Sequence, residues 1–457
     1  MYRDDRHPAE QLAETMTRIY QNGLTSTSGG NLSVMDGDGV MWITPGSIDK
    51  GTLTPEDIVR VLPDGTIEGR HKPSIEYKFH RKIYQVRPHI RAIVHAHPSV
   101  LVGYSLVQKL PEVSLFPAAA EGIGKILPVG YAVPGSDDLV DCVTQAYEAG
   151  ADAAIMANHG AITASSISLA DAYNRFESLV RLAQIECRAR TFGQISGLTD
   201  AQKDRFGEVL SDLAADQREC FEEQHGAVQC AVETSSEETK GKTQLPMDLL
   251  ERRELLYWTK RAAAQRLIAG SLFSFSRRTG EDSFLINPRG MGAYEMELTD
   301  LVHLQAGRML SCKEQMAQAP EALWSIHQQI YRDHSEISAI LLNYPEAMMG
   351  LACSDAELEP RSMPEIYMML RTLPHLSLQE FLEDPDSLSR VLGKSTPVTY
   401  VQNSFVISTA DRLQTAFDRM EVAESAAQAT AAARLFGELA PLPEEEVRKI
   451  EEVFHLK

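Results

Sequence analysis

The sequence predicts an α/β protein made of two tandem copies of one domain, and three observations predict it. At 457 residues the chain exceeds what a single hydrophobic core usually serves, so two domains are expected. Segments of the first half recur in the same order in the second half, 243 to 247 positions later. Ile90 to Val94 and Ala153 to Ala157 read as strands, while Glu76 to about Tyr84 and residues 198 to 223 read as helices.

Taken in chain order, Ser28-Gly29-Gly30-Asn31-Leu32-Ser33 and Thr44-Pro45-Gly46-Ser47-Ile48 read as polar, glycine-bearing loops beside strands. Loops of this kind present backbone N–H groups to anions. Pro73 and Ser74 suit a helix entry, with Glu76 opening a helix that runs through about Tyr84. His80 falls four residues after Glu76, on the same helical face. Ile90 to Val94 reads as a strand ending in His95-Ala96-His97, with Pro98 closing it. Alternation along a strand points residues i and i+2 to one side, so His95 and His97 can grip a single ion. A second apolar run, Ala153 to Ala157, leads into Asn158-His159-Gly160, where the glycine permits a tight bend. Residues 198 to 223 look helical and amphipathic, and Gln224 to Leu245 reads as a linker because its apolar content is low. The expected organisation is therefore a first domain at 1–223, a linker at 224–245 and a second domain at 246–457.

The duplication carries its own comparison. Pro73 to Tyr84 aligns with Pro320 to Tyr331, Ile90 to Pro98 with Ile337 to Pro345, and Ile43-Thr44-Pro45 with Ile286-Asn287-Pro288. Glu76, His95, His97 and His159 become Leu323, Leu342, Tyr344 and Ser404. Around them His80, Tyr84, Pro98 and Asn158 persist as His327, Tyr331, Pro345 and Asn403. Residues kept in the copy that lost the others serve the fold, which assigns His80 to the scaffold. Phe405 stands where Gly160 does, so a relaxed bend is expected there. Three imidazoles and a carboxylate suit zinc, one ion per chain, although such ligands also accept other divalent transition metals.

Composition narrows the partners. A formal charge of −20 argues against general nucleic-acid binding, which needs clustered Lys and Arg. The six cysteines form no Cys-x-x-Cys pair, and no run reaches the ~20 apolar residues of a membrane helix. The chain begins without the apolar stretch of a signal peptide, so a reduced, cytoplasmic protein without membrane attachment is expected.

Taken together, Gly30-Asn31, Thr44-Pro45, Pro73-Ser74-x-Glu76, His95-x-His97-Pro98 and Asn158-His159-Gly160 resemble the class II aldolase/adducin family. The resemblance covers about residues 8 to 195 with the metal motifs intact and about 250 to 440 as a degenerate copy. It implies a largely antiparallel central sheet flanked by helices, a metal held by His95, His97 and His159 with Glu76, and Glu76 as the proton-shuttling catalytic residue. It also implies a sugar or sugar-phosphate substrate bound through Gly30, Asn31, Gly46, Ser47 and Ser74, and assembly as a homo-oligomer. The implied reaction is reversible retro-aldol cleavage through a metal-stabilised enediolate. A sugar-phosphate 4-epimerase of the same family and a non-catalytic adducin-like scaffold are the alternatives. Three departures stand out, the first being Gly46-Ser47 where the family shows Thr-Gly. Ser74-Ile75 replaces the family's frequent pair of serines, and Leu115 to Glu121 holds no tyrosine where family aldolases draw an acid from a neighbouring subunit.

Overall fold

The computed structural model describes residues 6–225, 248–305, 308–311 and 322–456. The chain divides into two compact units, Tyr2–Glu186 and Cys187–Lys457. In the first, strands β1 (Asn31–Met35), β2 (Met41–Ile43), β3 (Val59–Val61), β4 (Ile67–Glu68), β5 (Ala92–Ala96), β6 (Ile126–Val129), β7 (Ala153–Met156) and β8 (Ala161–Ser165) form one sheet. Their spatial order is β4-β3-β2-β1-β5-β8-β7-β6, and only the β6/β7 pair is parallel. This is the largely antiparallel sheet that the family resemblance implies.

Helix Tyr77–Val86 shows why local sequence dictates local structure. Phe79, His80, Ile83 and Tyr84 fall on one helical face, and all four are buried against the sheet. Pro88 restricts the residue before it, and the helix ends at Arg87. Phe79 and Ile83 join Ile93, Ile162, Tyr147 and Val143 in a core between this helix, helix Asp137–Glu148 and the sheet. Burying each large apolar side chain contributes about 1.5–3 kcal/mol. Strand β5 is buried along its whole length because neighbours β1 and β8 flank it and helices cover the sheet.

The second unit repeats the plan. Strands β9 (Phe273–Gly280), β10 (Ser283–Ile286), β11 (Val302–Gln305), β12 (Arg308–Ser311), β13 (Ala339–Asn343), β14 (His375–Leu376), β15 (Val398–Val401) and β16 (Phe405–Ala410) take the order β12-β11-β10-β9-β13-β16-β15-β14. Again only the outermost pair, β14/β15, is parallel.

The boundary between units lies at Glu186/Cys187, short of the division at 223 expected from composition. Residues after it bond within the second unit: Ser325 donates to Leu213 O at 2.7 Å and Asn403 to Ser196 O at 3.0 Å. The polar stretch expected as a linker falls, from residue 226 on, outside the described residues. No helix among the described residues is long and apolar enough to cross a membrane.

Candidate metal centre

The site is assembled at one end of β5. Asn31 and His95 are directly opposed across the β1/β5 ladder, so their side chains share a face of the sheet. His97 follows the strand end, and His159 sits in the turn between β7 and β8. One nitrogen from each of His95, His97 and His159 can be chosen so that all lie within 4.8 Å of one another. His95 Nδ1 lies 2.9 Å from the Ala161 carbonyl, to which it donates, leaving its Nε2 lone pair facing the cluster. His97 Nε2 is 3.0 Å from that atom. Burial, then the nearby His95 and His159, pushes the His97 imidazole down to about 3, the neutral form a ligand requires.

Glu76 completes the group as the N-cap residue of helix Tyr77–Val86. Its Oε2 lies 3.3 Å from His95 Nε2 and its Oε1 3.2 Å from His159 Nε2. Burial alone would raise its carboxyl, but the facing His95 and His159 rings prevail and hold it well below the usual carboxylate range. Although buried, Oε1 meets no partner in hydrogen-bond geometry. An ionised carboxylate oxygen and converging imidazole nitrogens without enough protons to share among them fit a divalent cation.

Behind Glu76 runs a chain of hydrogen bonds whose direction follows from the donor inventory. Tyr84 O–H donates to Ser33 Oγ at 2.8 Å, and Ser33 donates to His80 Nδ1 at 2.7 Å. His80 Nε2–H then donates to Asn31 Oδ1 at 2.5 Å, and Asn31 Nδ2 donates to Glu76 Oε2 at 2.8 Å and to Ser74 Oγ at 2.9 Å. His80 is fully buried, and burial followed by the nearby His95 pushes it down to about 3. Both its ring nitrogens are engaged inside the protein, as the assignment to the scaffold requires. Asn31, expected to contact substrate, directs both ends of its amide to Glu76, Ser74 and His80. Sequence reasoning missed Ser33 and the direction of this chain. The usable signal was Ser276, which stands 243 positions after Ser33 as Ile286 does after Ile43.

The loops expected to bind an anion approach the centre closely. A Cβ on Gly30, whose φ is +70°, would come 2.7 Å from the His95 carbonyl, and one on Gly160 would come 2.4 Å from His97 Cδ2. Glycine is thus required at 160 by close approach, whereas the left-handed residue of the turn is Asn158, with φ +52°. The second unit keeps that turn, with Asn403 at φ +56°. The relaxed bend expected there from Phe405 is therefore corrected: the asparagine, present in both copies, carries the bend. Gly46 packs on Pro73 and Ser74, and the Gly46 N–H and Ser74 N–H bond Lys72 O and Thr44 O at 3.1 and 3.3 Å. Ser47, exposed with φ +57°, projects from the same loop.

Fold and site together define a tandem α/β protein whose first unit carries a three-histidine cluster fitted to a metal ion. The chain belongs to the Class II Aldolase and Adducin N-terminal domain family, whose model matches residues 10–187 and again 253–431. Among curated relatives, L-fuculose phosphate aldolase of Methanococcus maripaludis (strain DSM 14266) is 34% identical over 168 residues, covering 36% of this chain and 89% of that protein. The 3-oxo-tetronate 4-phosphate decarboxylase of Escherichia coli (strain K12) is 31% identical over 184 residues, covering 38% and 86%. A 5-methylthioribulose-1-phosphate/5-deoxyribulose-1-phosphate aldolase of Rhodospirillum rubrum is 36% identical over 158 residues, covering 34% and 69%. A solved L-fuculose 1-phosphate aldolase is 31% identical with a TM-score of 0.40, covering 45% of this chain and 95% of that one.

Proposed function

We propose that the first unit is a metal-dependent aldehyde-lyase that cleaves a phosphorylated ketose by a retro-aldol reaction, with zinc as its metal. One observation carries the reading: the ionised carboxylate of Glu76 is buried against the His95 and His159 ring nitrogens and held there by Asn31. The three relatives named above all carry a phosphate ester in their substrate names, which supports the substrate class. A metal held by His95, His97 and His159 with Glu76 would supply Lewis acidity to the substrate's carbonyl and hydroxyl oxygens.

The chain's own residues do the rest. Glu76 holds and moves the proton at the carbon beside the ketone, where a carbanion forms as the carbon–carbon bond breaks. Asn31 and the polar chain behind it keep the carboxylate aimed at that carbon. Ser47 and Ser74 offer hydroxyl groups to the phosphate.

A second reading has a specific observation in its favour. Decarboxylation of a 3-oxo acid phosphate generates the same kind of carbanion beside a carbonyl and requires no group to take a hydroxyl proton. Leu115 to Glu121 contributes no tyrosine for that task, and Phe116 within it is fully buried. Incubation with a panel of ketose phosphates and 3-oxo acid phosphates, scored for free aldehyde and for carbon dioxide, separates the two. Glu76→Gln is expected to slow either reaction by about 10²–10⁴-fold. Unchanged turnover in that variant would remove the role given to Glu76.

A further inference from the structure

We propose that the segment closing helix Leu413–Ala433, with Phe436 at its tip, docks on helix Ser99–Leu106 of a second copy of this chain. Both surfaces repeat the two sides of a contact that the second unit contains in finished form.

In that unit the last turn of helix Leu169–Phe192 lies against helix Glu346–Ala352. A Cβ on Gly350 would come 2.5 Å from Arg188 Cβ and 3.0 Å from the Ala189 nitrogen, so glycine is what lets the two helices approach this closely. The chain then runs on beside the end of the covered helix. Ile195 forms an antiparallel bridge with Ser354, the Asp355 N–H donates to Gln194 O at 3.1 Å, and the Gln194 N–H donates to Asp355 Oδ1 at 2.9 Å. Helix Glu346–Ala352 is buried from Ala347 to its last residue, and Phe192 is 1% exposed.

Each side recurs elsewhere in the chain and is left open there. Ala189-Arg190-Thr191-Phe192-Gly193 returns 244 positions later as Ala433-Arg434-Leu435-Phe436-Gly437, where Phe436 is 89% exposed and Leu435 71%. At an offset of 247, Gly350 answers to Gly103 in helix Ser99–Leu106. A glycine weakens a helix interior unless another backbone needs the room. Yet a Cβ on Gly103 would meet nothing within 4 Å among the described residues. Leu106 and Val107, which stand where Cys353 and Ser354 are buried, are 59% and 62% exposed.

Charge agrees with this pairing. Arg188 and Glu346 form an ion pair at 2.6 Å across the finished contact. Their counterparts are Ala432 and Ser99, so both charges are absent together and docking would strand neither. An apolar knob and an apolar seat of matching ancestry therefore fit one another, which commits the exposed surface to a second copy. One knob and one seat per chain allow two chains to close reciprocally into a dimer. The seat begins two residues after His97, so the second half of one chain borders the metal centre of the other.

The test is the sedimentation of the full-length protein at micromolar concentration, a readout that needs no substrate and stands apart from the reaction proposed above. Wild type is expected to run as a dimer. Phe436→Asp alters an exposed side chain, and Gly103→Leu fills open space in a helix that leucine favours, so both monomers should keep the circular dichroism of wild type. Each substitution is expected to weaken the dimer at least about tenfold. A monomeric wild type overturns the proposal, a result read without any variant having to fold. So does a dimer that survives both substitutions, and so does dissociation by only one of them, because knob and seat must fail together.

Discussion

The same three-residue polar chain exists in both units and ends differently in each. In the first, Tyr84, Ser33 and His80 pass their hydrogen bonds through Asn31 to Glu76. In the second, Tyr331 lies 2.8 Å from Ser276 Oγ and Ser276 2.6 Å from His327 Nδ1, after which the chain stops. Ser274 replaces Asn31, and both its Oγ and His327 Nε2 are buried without a partner among the described residues. Ser404 Oγ, where His159 stands in the first unit, is buried and unpartnered too. The sheet needs the tyrosine, serine and histidine to join helix to strand. The asparagine and the carboxylate it holds are present only in the first unit, where the proposed chemistry would use them.

Three experiments would break or sharpen this contrast. The largest effect is expected from His95→Ala combined with His97→Ala. Metal content should fall from one ion per chain to none, with activity reduced by more than the 10–100-fold typical of losing an outer partner. Equal metal in wild type and variant would erase the distinction between the units. A smaller effect is expected from exchanging the residues that end each chain. Asn31→Ser should weaken metal affinity by about 10–100-fold. Ser274→Asn should stabilise the second unit by ~1 kcal/mol as His327 Nε2 gains an acceptor, measured by denaturant unfolding. No change in either would mean that the position does not matter to the contrast. The third comparison concerns acid, and it is read as a slope. Burial pushes His327 down to about 3, so the unfolded chain binds the proton first as pH falls below the ordinary value near 6.5. The stability from keeping this ring neutral is present above that value and drains away between about 6.5 and 3, at no more than ~1.4 kcal/mol per pH unit. His327→Gln should flatten that slope, and an unchanged slope would exclude the ring as its source.

Much of the centre was legible because strand and helix periodicities act over a few residues. His95 and His97 share a side by alternation, and Glu76 tops a helix that the burial of Phe79 and Ile83 fixes. Strand β5 begins two residues later than the apolar run, since its ends are set by pairing with β1 and β8 rather than by hydropathy. The purpose of Asn31 was hidden for a related reason. Its partners Ser74, Glu76 and His80 lie 43 to 49 residues away, and only the folded sheet brings them together. The turn at Asn158 was credited to its glycine neighbour because glycine is the usual bearer of a positive φ.

Asn403 still holds its backbone in the left-handed region, so the seat on which a third histidine would stand is already built in the second unit. Rebuilding a metal centre there would take new side chains at positions 323, 342, 344 and 404 and a glycine in place of Phe405, on a main chain that needs no new bend. The second half thus keeps the turn of the mould while other side chains stand where the first half sets its histidines and carboxylate.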